Sequence, residues 1–510
     1  MEAHQGIRKR KGPDSKTGCR TCKYGNPVTH RHLHSTNSNG RTRHVKCDET
    51  HPFCIRCTSS GRSCGGYGVS LSGIASLPSL PLFFVSMSTG RSEADNRAFE
   101  YFYQNAIVGL KGFDHNSDFW SQSVLQFANA SPAVFRATLA LSARHEDLYR
   151  AKAYGQAPSK LGPRSLRQYN KAIRQLCSQQ ADQPYHFTLT CCVLFICLEN
   201  LSGNHDAALF HLSNGLKVLK EWHSHHVTST AEKTTRDQIT MVLCRLDMQA
   251  TTFLDSRQPQ LDLEFIDGVY RDAQPVFSSL QQAQAALERL VIRLLYVLTT
   301  NSSSEYPASS SRNEYLPARI KLLEGLRTSF ARWNTAYVAF SSKESKHMEM
   351  KDLQLSCLLA LHHRTTSLML ELRLKRHLTN RGLNSSLAEN LDSRFVQVID
   401  MAAALITSES PSQSSVTSSF SADMGVISVV YFVAMNAGDF HLRQRAVDIL
   451  GEIEGKEGFW DPGVARTISQ KALNLEMSGN FPEGKLKGGI PELSKAFDGL
   501  CLMDQPIRGG

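Results

Sequence analysis

The sequence predicts a small metal-stabilised N-terminal domain followed by a large all-α domain, and three observations carry that prediction. Six of the 13 cysteines fall between positions 19 and 64, and the other seven are scattered from Cys177 to Cys501. Residues 1–68 hold 13 Lys and Arg against 4 Asp and Glu, a net of +9 within a chain total of +10. From about Ser92 onward apolar residues recur at helical spacing, with no convincing strand alternation.

Residues 1–68 are polar, basic and without sustained periodicity, which suits a domain held by metal in place of an apolar core. Cys19 and Cys22 are separated by two residues, Cys47 and Cys54 by six, Cys54 and Cys57 by two, and Cys57 and Cys64 by six. Two intervening residues let both thiolates reach one tetrahedral zinc, so two such pairs with further cysteines nearby are a strong zinc signal. Arg20, Lys23, Lys46 and Arg56 adjoin these cysteines, and their charge lowers thiolate pKa values and offsets the negative cluster. The opening MEAHQGIRKRKGPDSKTG lacks the apolar stretch of a secretory signal, which favours metal over disulfides. A basic patch confined to one segment is the footprint expected of nucleic-acid binding, because each neutralised phosphate releases counterions; a solvated basic tail is its bland counterpart. Ile7–Lys11 (IRKRK) suits a nuclear-import signal or a phosphate-contacting arm.

Residues 69–91 read as a linker. Val69–Ser88 is apolar, but two prolines and six serines in that run argue against a membrane span. Residues 92–500 read as an all-helical domain and 501–510 as a tail, with 41% hydrophobic residues in the 510-residue chain enough for a sizeable core. Phe99, Phe102, Tyr103, Ala106 and Ile107 form one apolar stripe, with Ser92 and Asp95 spaced as a capping box. Ser131-Pro132 places a capping hydroxyl and then a proline where a first turn tolerates it. Helical patterns recur at 161–179, 187–201, 207–222, 234–253, 280–298, 316–333, 348–378, 394–406, 440–453 and 464–477, to be packed as helix hairpins. Two Ser-rich stretches, Asn301–Ser311 and Ser408–Ser421, read as surface loops.

The segments KTGCRTCK and RHVKCDETHPFCIRCTSSGRSCGGYG resemble the cysteine array of the fungal binuclear zinc-cluster transcription factors. That resemblance implies two zinc ions held by Cys19, Cys22, Cys47, Cys54, Cys57 and Cys64, with Cys19 and Cys54 bridging both metals. It also implies double-stranded DNA with CGG-type half-sites as partner, read by Lys23, Arg43, His44 and Lys46, with Arg20 and Arg56 on phosphates. The helical region, with FWSQSVLQFANASPAVFRATLALSARHE and CCVLFICLENLSGNHDAALFHLSNGLKVL, resembles that family's C-terminal regulatory domain. The implied function is sequence-specific regulation of RNA polymerase II genes in the nucleus, including clusters for secondary metabolism, with the transcription machinery or co-regulators as further partners. No sustained heptads follow Cys64, so the chain is expected to bind one half-site alone or to form a homodimer through its helical domain.

One departure from the family pattern stands out: 24 residues separate Cys22 from Cys47 where the family has six. The excess, residues 24–41 (YGNPVTHRHLHSTNSNGR), contains proline, glycine and asparagines and cannot extend a recognition helix, so it must loop out. Its eighteen residues are in frame and read as an intron retained in the translated gene, or as an insertion that disables DNA binding and leaves a regulatory interaction protein. His30, His32 and His34 within it offer another metal site with Cys19 and Cys22, at a spacing too short for the usual finger. Cys191, Cys192 and Cys197 sit in an apolar run and read as core. His205, His211, His223, His225 and His226 read as exposed histidines near a helix C-terminus. With no phosphate-binding glycine loop, nucleophile elbow or HExxH pattern, no enzyme is expected.

Overall fold

A computed structural model describes residues 48, 59, 91–113, 117–155, 161–178, 184–227, 229–253, 257–269, 276–299, 312–379, 391–408 and 420–478. The chain divides into two units, Met1–Arg91 and Ser92–Gly510. The expected zinc-cluster segment, residues 69–90 of the expected linker, the tail and the loop Asn301–Ser311 lie outside the described residues, so the metal-stabilised part of the prediction has no counterpart here.

The second unit is helical, as its periodicity predicts. Helix α1 (Glu93–Tyr101) starts at Ser92, whose hydroxyl accepts from the Asp95 N–H at 3.1 Å. The Asp95 carboxylate reaches Arg136 at 3.0 Å, so this ion pair ties α1 to a later helix. A π turn, Phe102–Ala106, carries the chain on into α2 (Ile107–Leu110), and the predicted stripe faces inward with Phe99, Phe102, Ala106 and Ile107 buried. A second π turn, Phe119–Ser123, leads into α3 (Val124–Ala130). Helix α4 (Pro132–Ala153) opens on the predicted pair, with the Ser131 hydroxyl accepting from Val134 N at 3.5 Å and Pro132 in the first turn. Its residues from Ala133 to Glu146 are buried almost all round, so α4 is the axis that α5 (Pro163–Ser178) and α6 (Tyr185–Leu201) pack against.

Helices α6 and α7 (His205–Ser224) form a hairpin through a turn in which Gly203 takes φ +75°, a conformation that favours glycine. Beyond them come α8 (Thr230–Phe253), α9 (Leu263–Val269), α10 (Leu280–Thr299) and two long helices, α11 (Arg312–Glu344) and α12 (Met350–Thr379), followed by α13 (Leu391–Ser408). The chain then forms β1 (Phe420–Ser421), α14 (Ile427–Asn436), α15 (Phe440–Glu452), β2 (Lys456–Glu457) and α16 (Pro462–Met477).

The structure adds elements that the pattern does not predict. Strands β1 and β2 pair in parallel, Phe420 with Lys456 and Ser421 with Glu457, and Gly458 N donates to the Ser421 carbonyl at 2.7 Å. The second Ser-rich stretch therefore stops short of Ser421: Phe420 is 2% exposed and anchors the strand in the core. Helices α9 and α14 also lack a sequence signal, and α11 runs beyond Trp333 to Glu344. Among the described residues no helix is long and apolar enough to cross a membrane.

Candidate functional site

The residues that the sequence marks for metal and DNA all lie outside the described residues: Cys19, Cys22, Cys47, Cys54, Cys57 and Cys64 on one hand, Arg20, Lys23, Arg43, His44, Lys46 and Arg56 on the other. Within that segment only Asp48 and Ser59 are described, and both are exposed. The ligand set stands on donor chemistry: six thiol ligands at zinc spacing.

The described residues bring a different site together. Helices α8, α10, α12 and α14, with the segment after β1 and Trp460 after β2, enclose a cavity of about 320 Å³. Most of its lining is apolar, including four methionines, Met248, Met369, Met424 and Met435, whose unbranched side chains adapt to varied shapes. Glutamine amides interrupt this wall. Gln284 is 8% exposed and its Oε1 has no hydrogen-bond partner. Gln249 donates from Nε2 to the Ala422 carbonyl at 2.8 Å, while its Oε1, also without a partner, takes the space that a Cβ at Gly458 would need. A buried carbonyl left unpaired costs on the order of 1–3 kcal/mol.

The charged groups of the wall balance. Arg245 donates from Nε to Glu288 Oε1 at 2.8 Å, and its Nη1 lies 3.7 Å from Asp423 Oδ1; Arg373 is the second cation, giving two charges of each sign. His362 Nε2 lies 2.8 Å from the Gly425 carbonyl, which can only accept, so Nε2 carries the hydrogen and Nδ1 is left an acceptor. Burial lowers the His362 pKa and keeps the ring neutral. Thr251, Thr365 and Thr366 each spend their hydroxyl hydrogen on a backbone carbonyl of their own helix, leaving oxygen lone pairs as what they can offer. No sequence motif signals this site, because its parts are spread from Arg245 to Trp460.

The other candidates resolve as structure. Cys191 and Cys197 are buried and Cys192 half-buried; burial raises all three thiol pKa values, to about 12 at Cys192, in keeping with a core role. The histidine reading needs correction. His225 and His226 are exposed just past the end of α7, as expected. His205, His211 and His223 are half-buried instead, their rings meeting Asn200 Oδ1 at 3.3 Å, the Tyr169 hydroxyl at 2.6 Å and Thr240 Oγ1 at 2.9 Å. Helical spacing turns those three inward, and burial lowers their pKa values, to about 4 at His205 and His223. Among the described residues no group of three or more His, Cys, Asp or Glu is arranged to hold a metal.

Comparison with known proteins adds what geometry leaves open. The sequence model of the fungal specific transcription factor domain matches residues 97–422. That of the fungal Zn(2)-Cys(6) binuclear cluster domain matches residues 38–72, which takes in Cys47, Cys54, Cys57 and Cys64 and leaves Cys19, Cys22 and most of 24–41 outside. The chain is 27% identical over 324 residues to the aspercryptin biosynthesis cluster-specific transcription regulator atnN of Emericella nidulans, covering 58% of this chain and 49% of that one. It is 28% identical over 207 residues to the transcription regulator lscL of Purpureocillium lilacinum, covering 36% and 48%. It is 42% identical over 53 residues to the transcriptional regulatory protein moc3 of Schizosaccharomyces pombe, covering 10% and 7%. The chain thus spans about half the length of the first two relatives. No solved structure matches it.

Proposed function

Because the chain belongs to the fungal transcription factors that join a binuclear zinc cluster to a fungal-specific regulatory domain, we propose that this transcription regulator binds DNA in a sequence-specific way through residues 1–68. The observation that carries the reading is the match of the zinc-cluster model at residues 38–72, which takes in four of the six cysteines, within a segment, residues 1–68, that holds nine of the chain's ten net positive charges. Zinc, once bound, supplies the cross-links that fold such a segment. The chain's own residues do the rest. The six thiolates of Cys19, Cys22, Cys47, Cys54, Cys57 and Cys64 would hold the metals. Arg20 and Arg56 neutralise phosphates, which fixes register without reading sequence. Lys23, Arg43, His44 and Lys46 face base edges of a CGG-type half-site, where a lysine or arginine matches the paired acceptors of guanine.

Nuclear action follows from that role, and IRKRK supplies an import signal. The relative named for the aspercryptin biosynthesis cluster supports a regulator of a secondary-metabolite gene cluster. The second reading rests on residues 24–41: if they belong to the working protein, they separate Cys22 from Arg43, His44 and Lys46 and leave an interaction protein with no DNA reader.

One experiment separates the two. The zinc-loaded full chain, with and without residues 24–41, is titrated into CGG-containing and scrambled duplexes. Specific binding by either form supports the regulator; failure of both overturns it. Binding by the shortened form alone assigns the stretch to a retained intron, which transcript reads lacking it must then corroborate.

A further inference from the structure

We infer that the cavity between α8, α10, α12 and α14 binds an uncharged molecule built on an unbranched aliphatic chain, recognised by its length and apolar surface and not by a hydrogen-bonding head group.

The shape of the lining carries this reading. On α10, Leu287, Val291, Leu294 and Leu298 all line the cavity, and spacings of four, three and four residues put them on one face along about 16 Å of helix. On α12 the lining runs from Leu355 to Leu372, about 25 Å. A volume of about 320 Å³ drawn out along two helices in this way is long and thin. An unbranched chain can lie along both stripes, whereas a compact cage of equal carbon count touches only part of them. Affinity from apolar contact grows with the area removed from water, so the chain gains more. The methionines let the wall follow a bend in that chain.

The polar groups of the wall select no hydrogen-bonding head group. Gln284, Ser428 and Arg373 bring donors, and Thr365, Thr366 and Asp423 bring acceptors. The two cations and two carboxylates offset each other, with Arg245 bonded to Glu288 at 2.8 Å and 3.7 Å from Asp423. An ion of either sign would lose its hydration there without meeting an unopposed counter-charge, a loss that a neutral chain does not suffer. Apolar surface is what remains to discriminate.

The wall also joins distant parts of the sequence. Gln249 donates to the Ala422 carbonyl at 2.8 Å and Trp460 to Thr252 at 3.3 Å, so α8 is tied here to both segments around the β1–β2 pair, and an occupant braces the same contacts. Such binding is independent of whether residues 1–68 bind DNA.

The test titrates the full chain by calorimetry with hexan-1-ol, octan-1-ol and decan-1-ol, then with 1-methoxydecane, the cage alcohol adamantan-1-ol, decanoate and decylamine. The linear alcohols are expected to bind saturably, at one per chain, and about tenfold tighter for each pair of methylenes added. The ether should match decan-1-ol within about threefold, and decanoate and decylamine should bind at least about tenfold more weakly. Adamantan-1-ol should also fall at least about tenfold behind decan-1-ol once each affinity is divided by the probe's octanol–water partition coefficient. Met369→Trp and Met435→Trp each narrow the cavity and should weaken decan-1-ol at least about tenfold. Absence of saturable binding, equal corrected binding of the cage alcohol, equal or tighter binding of decanoate or decylamine, or decan-1-ol binding unchanged in the folded variants overturns the inference. Should neither variant fold, the ranking of the probes on the unmodified chain decides alone.

Discussion

His145 lies midway along α4, 1% exposed, with Nδ1 3.1 Å from the Tyr101 hydroxyl. Burial drives its pKa down to about 4, because the imidazolium cannot recover its hydration there. The sign of the consequence follows from which state binds the proton first. The unfolded chain protonates near pH 6.5 and the folded one near 4, so stability is complete above about 6.5 and drains away as pH falls between those values. Between pH 8 and pH 5 this one group should cost about 2 kcal/mol. Urea unfolding at both pH values checks it: His145→Gln should lose about 2 kcal/mol less than the unmodified chain on acidification, and equal losses would assign the drop to other groups. His205 and His223, also lowered to about 4, share the direction. That such histidines face inward was not legible from their polarity; it follows from their register on the helix, as His211 beside Tyr169 illustrates.

Glu457 shows why some elements escape a linear reading. Helix α14 has no side-chain cap of its own and no acidic residue in its first turn, and its sequence ISVVYFVAMN is apolar on every face, so it offers neither stripe nor start signal. Its N-terminus is closed from outside. The buried Glu457 carboxylate on β2 accepts from Gly425 N at 2.9 Å, Val426 N at 2.9 Å and Ile427 N at 3.0 Å. A carboxylate on the free amides at a helix start combines charge-assisted hydrogen bonds with the helix dipole. Glu457→Gln keeps the shape but turns an N–H₂ toward an N–H, and should destabilise by about 2 kcal/mol, lowering the thermal midpoint by a few degrees; an unchanged midpoint would mean that this carboxylate contributes little to the start of α14. Helices α1, α4, α15 and α16 are capped by Ser92, Ser131, Asp439 and Asp461, each adjacent to the helix it starts, and all four begin within two residues of their expected positions.

At the scale of the whole chain, the buried apolar residues among those described run from Phe99 to Leu473, whereas the polar, basic composition of residues 1–68 offers little for an apolar core, so the fold proposed for them rests on metal ligands. Stripping zinc with a strong chelator should therefore release about two ions per chain and abolish DNA binding, yet leave the helical unfolding transition within about a degree of its starting midpoint. A large fall in that midpoint would show that metal supports the helical core as well.

By itself the sequence determined the helical class of residues 92 onward and the family, and it nominated the residues proposed for zinc and DNA, because cysteine spacing, local charge and helical periodicity are properties of neighbouring residues. It also located the caps at Ser92 and Ser131, which lie beside the helices they start. Only the tertiary structure decided the β1–β2 pairing, the start of α14 and the cavity. The strand pair and the start of α14 depend on Phe420, Ser421, Lys456 and Glu457, and the cavity on groups brought together from Arg245, Gln284, His362, Asp423 and Trp460, whose separation along the chain leaves no pattern for spacing to reveal.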